Sequence, residues 1–154
     1  MSTSQLGDLP GKWSGTSRLF LEKDVYDSES TADSHHIGQG QFSSISYNWQ
    51  FESEPQDGRI VFLAGINEKP SRAIWLDSWH MRNDIMLCEG TKDQEGIARL
   101  QGSYSFPPGP AWGWRIEIGI NNTDLLLIRM FNIAPEGQEM LAVLTRYERI
   151  IERA

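Results

Sequence analysis

Apolar and polar residues alternate with a period of two along most of this chain. Ile45, Tyr47, Trp49 and Phe51 fall on one parity, against Ser46, Asn48, Gln50 and Glu52 on the other. Extended backbone sends successive side chains to opposite faces, so such a run reads as a half-buried antiparallel strand. Ala98, Leu100, Tyr104 and Phe106 repeat the pattern, and Trp112, Trp114, Ile116, Ile118 and Ile120 alternate with Gly113, Arg115, Glu117, Gly119 and Asn121. Further β-rich runs cover residues 13–21, 59–66, 74–80, 85–90, 125–133 and 140–149. Turn-forming residues separate them at Pro55-Gln56-Asp57-Gly58, Lys69-Pro70, Asp93-Gln94-Glu95-Gly96, Pro107-Pro108-Gly109-Pro110, Asn121-Asn122 and Pro135-Glu136-Gly137. Residues 24–36, rich in Asp, Ser and Glu, read as a solvated loop with frayed strand ends.

Nine or ten short antiparallel strands joined by local turns predict an all-β, up-and-down barrel, because closure removes the exposed edges of an open sheet. A two-sheet sandwich is the structural rival. Residues 5–12 carry two leucines among helix breakers and predict a short turn or single helical turn plugging one end. The whole of 1–154 reads as one domain, with flexible ends at 1–6 and 151–154. Runs 59–66, 74–81, 125–133 and 140–147 are apolar on both parities, which predicts a covered outer surface and, most simply, a homodimer.

Composition narrows the function classes. The 154 residues carry 21 acids against 14 bases, a formal net charge of −7, with no basic cluster to hold a nucleic-acid backbone. No apolar run reaches the roughly 20 residues that span a bilayer, so membrane insertion is not expected. The lone cysteine, Cys88, permits no internal disulfide, and the start of the chain lacks the pattern of a signal peptide, which predicts a cytoplasmic protein. Six tryptophans in so short a chain point to filled cores, pocket walls or interface anchors.

Gly11-x-Trp13-x-Gly15 at the first strand resembles the opening motif of the lipocalin-like, or calycin, superfamily. Trp75-x-Asp77-Ser78, Glu89-Gly90-Thr91, Trp114-Arg115 and the terminal Tyr147-x-Arg149 are similar to the bacterial family DUF1579, whose function is unknown. The resemblance runs from about residue 7 to 149. It implies that Trp13 closes one end of the barrel, crossed by an arginine of the last strand, Arg146 or Arg149. It also implies a cavity, since calycins mostly bind small apolar molecules. The nitrobindins resemble this chain at the opening motif and bind haem through a histidine near the C-terminus. This chain has Thr145-Arg146-Tyr147 there, which counts against haem, and no cofactor is expected.

The candidate ligand-binding residues are Trp49, Trp75, Asp77, Trp79, Tyr104, Trp112, Trp114, Arg115 and Tyr147. On a regular strand Trp75, Asp77 and Trp79 share one face and His80 the other, so Asp77 and His80 form no acid–imidazole pair unless the strand bulges or ends. Asp77 reads first as a hydrogen-bond acceptor for backbone or an arginine. Parity opposes Arg115 and Glu117 to the tryptophans, as an outward ion pair; if that face turns inward, Arg115 joins Tyr104 and Tyr147 around a carboxylate or enolate. His35 and His36 point oppositely in extended chain, so no metal site is expected. Cys88 reads as a small buried hydrophobe, Asn121-x-Thr123 as a turn, and Gly38-x-Gly40 has no phosphate-binding helix after it.

The leading expectation is a non-enzymatic barrel holding a small, largely apolar molecule. The alternatives are a small lyase, isomerase or hydrolase working with Asp77, His80, Arg115 or Tyr147 at the barrel mouth, and a dimeric interaction protein with a filled barrel.

Overall fold

The alternation in the sequence closes on itself. In the computed structural model, which describes residues 8–63, 70–90 and 97–151, ten strands run in chain order: β1 (Gly11–Leu21), β2 (Asp24–Ile37), β3 (Phe42–Phe51), β4 (Glu54–Leu63), β5 (Arg72–Asp77), β6 (Met86–Gly90), β7 (Ile97–Tyr104), β8 (Trp112–Asn121), β9 (Leu125–Ile133) and β10 (Glu139–Arg149). Each pairs antiparallel with its chain neighbours, and β1 pairs with β10, with Trp13 opposite Arg149 and Leu19 opposite Val143. This is the closed up-and-down barrel expected, with a lipocalin-like topology, and closure excludes the sandwich. The turns at 69–70 and 93–96 fall wholly or partly outside the described residues, as do residues 1–6, 152–154 and the start of the predicted plug.

Three sequence expectations need correction. Residues 24–36 are not a loop but most of β2, the longest strand. Its inward parity runs from Tyr26 through Ser28, Ser30, Ala32 and Ser34, mostly small side chains rather than large apolar ones. A small side chain at Ser30 leaves room for the Tyr147 phenol, which reaches its hydroxyl from β10. Pro55-Gln56-Asp57-Gly58 lies within β4, and the hairpin turns at Glu52 and Ser53, both at positive φ (49° and 69°), the pattern of a type I′ turn without glycine. The strand opening at Arg72 ends at Asp77 instead of continuing to His80.

The inward faces supply a single core, with Trp13, Ile45, Ile60, Trp75, Leu100, Ile116, Ile118, Leu126 and Tyr147 essentially without exposure. Outside, Val61 on β4, Ile74 on β5 and Leu87 on β6 lie side by side across three strands, and Ile74 and Leu87 are 43% and 73% exposed. The apolar outer face expected of β5 is therefore present. On β9 and β10 the outward leucines Leu125, Leu127 and Leu144 are half-buried.

The two ends of the barrel differ. At one, Arg149 lies 4.3 Å over the Trp13 ring and bonds the carbonyls of Pro10 (2.7 Å), Thr123 (2.9 Å) and Asp8. Trp13 Nε1 donates to the Leu9 carbonyl at 3.0 Å, and Leu9 is wholly buried. Of the two arginines that the last strand offers for this contact, Arg149 makes it; Arg146 is exposed. Gly15 permits the close crossing of β1 and β10, for a Cβ there would sit 1.8 Å from the Arg146 carbonyl oxygen. The other end is framed by the β1–β2, β3–β4, β5–β6, β7–β8 and β9–β10 connections and is open.

Candidate functional site

The open end takes its shape from the turn that succeeds β5. Asp77 ends the strand by accepting the backbone N–H groups of Trp79 (2.9 Å) and His80 (2.8 Å) with one carboxylate oxygen, as an N-cap residue does. Its carbonyl receives the N–H groups of Met81 and Arg82, closing a turn over 78–83. Ser78 pins that turn to β4: its N–H donates to the Asp57 carbonyl, and its hydroxyl accepts from Asp57 N–H and donates to Gln56. The second carboxylate oxygen of Asp77 accepts from the Tyr47 hydroxyl (2.7 Å) and Trp49 Nε1 (3.2 Å). Tyr47 in turn accepts from Trp75 Nε1 at 2.9 Å. Gly58 makes room for this phenol, since a Cβ there would lie 2.2 Å from Tyr47 ring atoms.

Asp77 is therefore a buried hub with four donors aimed at it, and no arginine among them. A carboxylate so occupied orders the turn and the tryptophans and has no free lone pair with which to act as a base. Burial, with the Asp77 charge behind it, pushes the Tyr47 phenol well above its ordinary range, so it stays a donor.

Ending the strand at Asp77 carries His80 across to the inside, contrary to the face expected from parity. Its imidazole stands among four tryptophans, with ring centroids 5.5 Å from Trp49, 5.5 Å from Trp75, 4.8 Å from Trp79 and 5.5 Å from Trp114. Trp75 and Trp114 stack at 5.3 Å with planes only 10° apart. Burial pulls the imidazole below its ordinary pKa, and the Asp77 charge pulls the other way with the smaller effect. Among the described residues, neither ring nitrogen of His80 has a hydrogen-bonding partner. The Trp114 indole N–H is likewise unpaired, and it is buried.

His80 separates two spaces. Above it a cleft of about 580 Å³ opens at the barrel mouth, walled by Trp75, Trp79, Trp114, Met86, Tyr104 and Phe106. That volume is within the roughly 300–1,000 Å³ usual for ligand pockets. Below the ring is a pocket of about 20 Å³, bordered by Tyr47, Asp77, Tyr147, Ser17 and Thr145. A single water needs about 10–15 Å³ of such volume and polar neighbours, and both conditions are met. Tyr147 donates to Ser30 Oγ at 2.7 Å, because the Ser30 hydroxyl itself donates to the Asn48 carbonyl at 2.6 Å. Burial pushes the Tyr147 phenol up to about 12.

The expected site residues thus divide. Trp75, Trp79, Tyr104 and Trp114 wall the cleft, while Trp49, Asp77 and Tyr147 border the pocket beneath. Trp112 faces the Phe106 ring at 5.8 Å, beside the cleft rather than in its wall. Tyr104 donates to Asn132 at 2.6 Å on the rim. Arg115 lies on the outer wall, so the arrangement joining it to Tyr104 and Tyr147 does not occur. There it holds Glu139 through two bonds (2.7 and 2.9 Å) and Glu117 at 2.9 Å, with its guanidinium 4.5 Å from the Phe131 ring. Arg129 (2.8 Å) and Arg99 (3.4 Å) also face Glu117, which is only 6% exposed beneath them. No group of three His, Cys, Asp or Glu suited to a metal occurs among the described residues. Cys88 is buried, and its thiol is pushed up to about 11, so it is no nucleophile.

Solved structures share the fold, two of them over nearly their whole length. The S-type phycobiliprotein lyase CPES from Guillardia theta superposes with a TM-score of 0.63 at 14% identity, over 99% of this chain and 95% of its own. Rv2717c from M. tuberculosis gives 0.66 at 12% identity, over 97% and 98% respectively. No curated protein matches the chain. Residues 3–149 match the family described as "Protein of unknown function (DUF1579)", nearly the whole length, and the chain belongs to that family.

Proposed function

We propose that this barrel takes up a small, flat, largely apolar molecule through its open end. The observation that carries the reading is the 580 Å³ cleft whose wall is built from Trp75, Trp79 and Trp114, with Met86 and Phe106 completing an apolar surface. Aromatic side chains offer large contact area at little entropic cost, and the Trp75–Trp114 pair, stacked on each other, gives the wall a stiff backing beside Trp79 and Phe106. The tight pocket beneath His80 sets the depth of entry, so the ligand lies in the mouth and not along the barrel axis. Buried Cys88 as the lone thiol fits a cytoplasmic setting, and the exposed Ile74–Leu87 face fits a homodimer that leaves the mouth free.

Titration with 2-methoxynaphthalene, followed by quenching of tryptophan fluorescence, tests this. Saturable binding is expected, and Ala142→Trp, which places a bulky ring in the cleft wall, is expected to abolish it. Absence of saturable quenching, or quenching unaffected by Ala142→Trp, removes the reading.

A second reading, a small enzyme of the lyase or isomerase type, is supported by the unpaired His80 imidazole at the floor of the cleft. Of the four polar residues that the sequence offers for such a role, His80 alone is free to exchange a proton: Asp77 and Tyr147 are bonded and Arg115 is outside. A barrel of this fold serves as a lyase in Guillardia theta. Turnover of a bound ligand that disappears in His80→Gln while binding persists is the result this reading requires.

A further inference from the structure

Resting on the binding site proposed above, we infer that the cleft selects planar aromatic ligands bearing a hydroxyl group, a phenol or an enol, and that His80 is the residue that reads the hydroxyl.

Buried polar groups in folded proteins nearly always find hydrogen-bonding partners, and an exception calls for an explanation. Around the inner end of this barrel the accounting is complete for Asp77, Tyr47, Trp49, Trp75 and Tyr147, each bonded within the protein. The exception at the cleft is the Trp114 indole N–H, buried without a partner, and beside it, with the two rings 5.5 Å apart, stands the half-buried His80 imidazole, whose nitrogens bond no other described residue. Both residues wall the same space.

The chemistry of the imidazole then fixes what complements it. The walls facing His80 are indoles from β3, β5, β8 and its own turn, and the charged group behind it, Asp77, already accepts four hydrogen bonds. In such surroundings the ring is neutral and offers one N–H donor and one lone pair. The donor has a natural destination in the pocket below, whose border includes the Ser17 and Thr145 hydroxyls and has room for one water. That leaves the lone pair toward the cleft. An acceptor flanked by tryptophan faces is matched by a hydroxyl on a planar ring. The same hydroxyl oxygen carries lone pairs of its own, the partner the Trp114 N–H lacks. A carbonyl satisfies Trp114 but gives His80 nothing, and an ether or hydrocarbon gives His80 nothing either. A primary ammonium brings a strongly hydrated charge into an apolar cleft.

The test compares two probes of nearly equal shape, 2-naphthol and 2-methoxynaphthalene, on the full chain. One neutral hydrogen bond in a site of this kind gives up to about a tenfold preference. Wild-type protein is expected to bind 2-naphthol about tenfold more tightly, and His80→Phe to bring the ratio to about one while still binding the ether. Because His80→Phe changes the packing of the tryptophans, an independent readout uses the wild type alone. In protein labelled with 15N-histidine, the His80 ring resonance should move on addition of 2-naphthol and stay in place with the ether. Equal affinities, a preference that survives in His80→Phe, or a ring resonance indifferent to 2-naphthol each overturn the inference and leave the binding site standing. Failure of both probes to bind overturns the binding site and the inference together.

Discussion

The two ends of this barrel are built from the same materials and arranged to opposite effect. At the closed end an aromatic, a cation and several carbonyls meet: Arg149 covers Trp13 and directs its donors to Asp8, Pro10 and Thr123, while the indole N–H goes to Leu9. The buried hydroxyls left without a partner on that side, Ser34 and Ser44, sit on β2 and β3 away from the cleft. At the open end the aromatics are more numerous, yet the imidazole among them and one indole N–H remain without partners. Full satisfaction rigidifies, and incomplete satisfaction inside a ligand-sized space marks the place where something else completes the set. A tryptophan that holds the fold is thereby separated from tryptophans available to a guest, a distinction that composition alone does not make.

Three experiments press on that contrast, the largest effect first. Trp13→Ala removes a wholly buried indole and the platform for Arg149, and should cost about 3–5 kcal/mol in urea unfolding. The folded protein that remains should still bind 2-methoxynaphthalene, and parallel loss of binding in fully folded protein would erase the division between the ends. Asp77→Asn replaces an acceptor of four hydrogen bonds by a group with a single oxygen and an amide that faces donors. A loss of about 1–3 kcal/mol is expected, together with a weakened preference for 2-naphthol as the turn carrying His80 loosens. An unchanged preference would show that the turn keeps its place without Asp77.

The smallest effect is in pH. Burial sets the folded-state pKa of His80 below the ordinary value of 6.5, so the unfolded chain takes up its proton first as pH falls. Stability should therefore decline from about pH 6.5 downward until the folded-state value is passed, ahead of the carboxylates, which titrate lower. His80→Phe should remove that part of the decline. If the wild type and His80→Phe show the same pH profile over that window, the imidazole is not held in the low-dielectric setting described.

Much of the fold can be read in the sequence because closure of a barrel demands one-sided strands, and most of these strands are one-sided in hydrophobicity as well as in direction. β2 is the instructive exception. It is as regular as the others in the parity of its burial, but Ser28, Ser30 and Ser34 lie on its inward side, where Ser30 meets the Tyr147 phenol. A scale that equates interior with apolar cannot see it. The Glu52-Ser53 turn escapes for a similar reason, since neither residue is the glycine or asparagine that positive φ usually calls on. The site is half legible: Trp75, Tyr104 and Trp114 stand where alternation puts them, but Trp79 belongs to the turn after the strand and parity sends His80 to the wrong side. The available signal is Asp77-Ser78 itself, an acceptor side chain able to cap the N–H groups two and three residues on, which ends a strand and reverses the direction counted from parity.

The pairing of β1 with β10 has a practical consequence. β1 begins and β10 ends at the sealed end, with Trp13 opposite Arg149, whereas the mouth is framed only by internal connections. A fluorophore or a linker to a sensor chip carried by a cysteine placed at exposed Glu148 stands beside that end, on the side away from the cleft. A copy tethered there presents its opening to the solution.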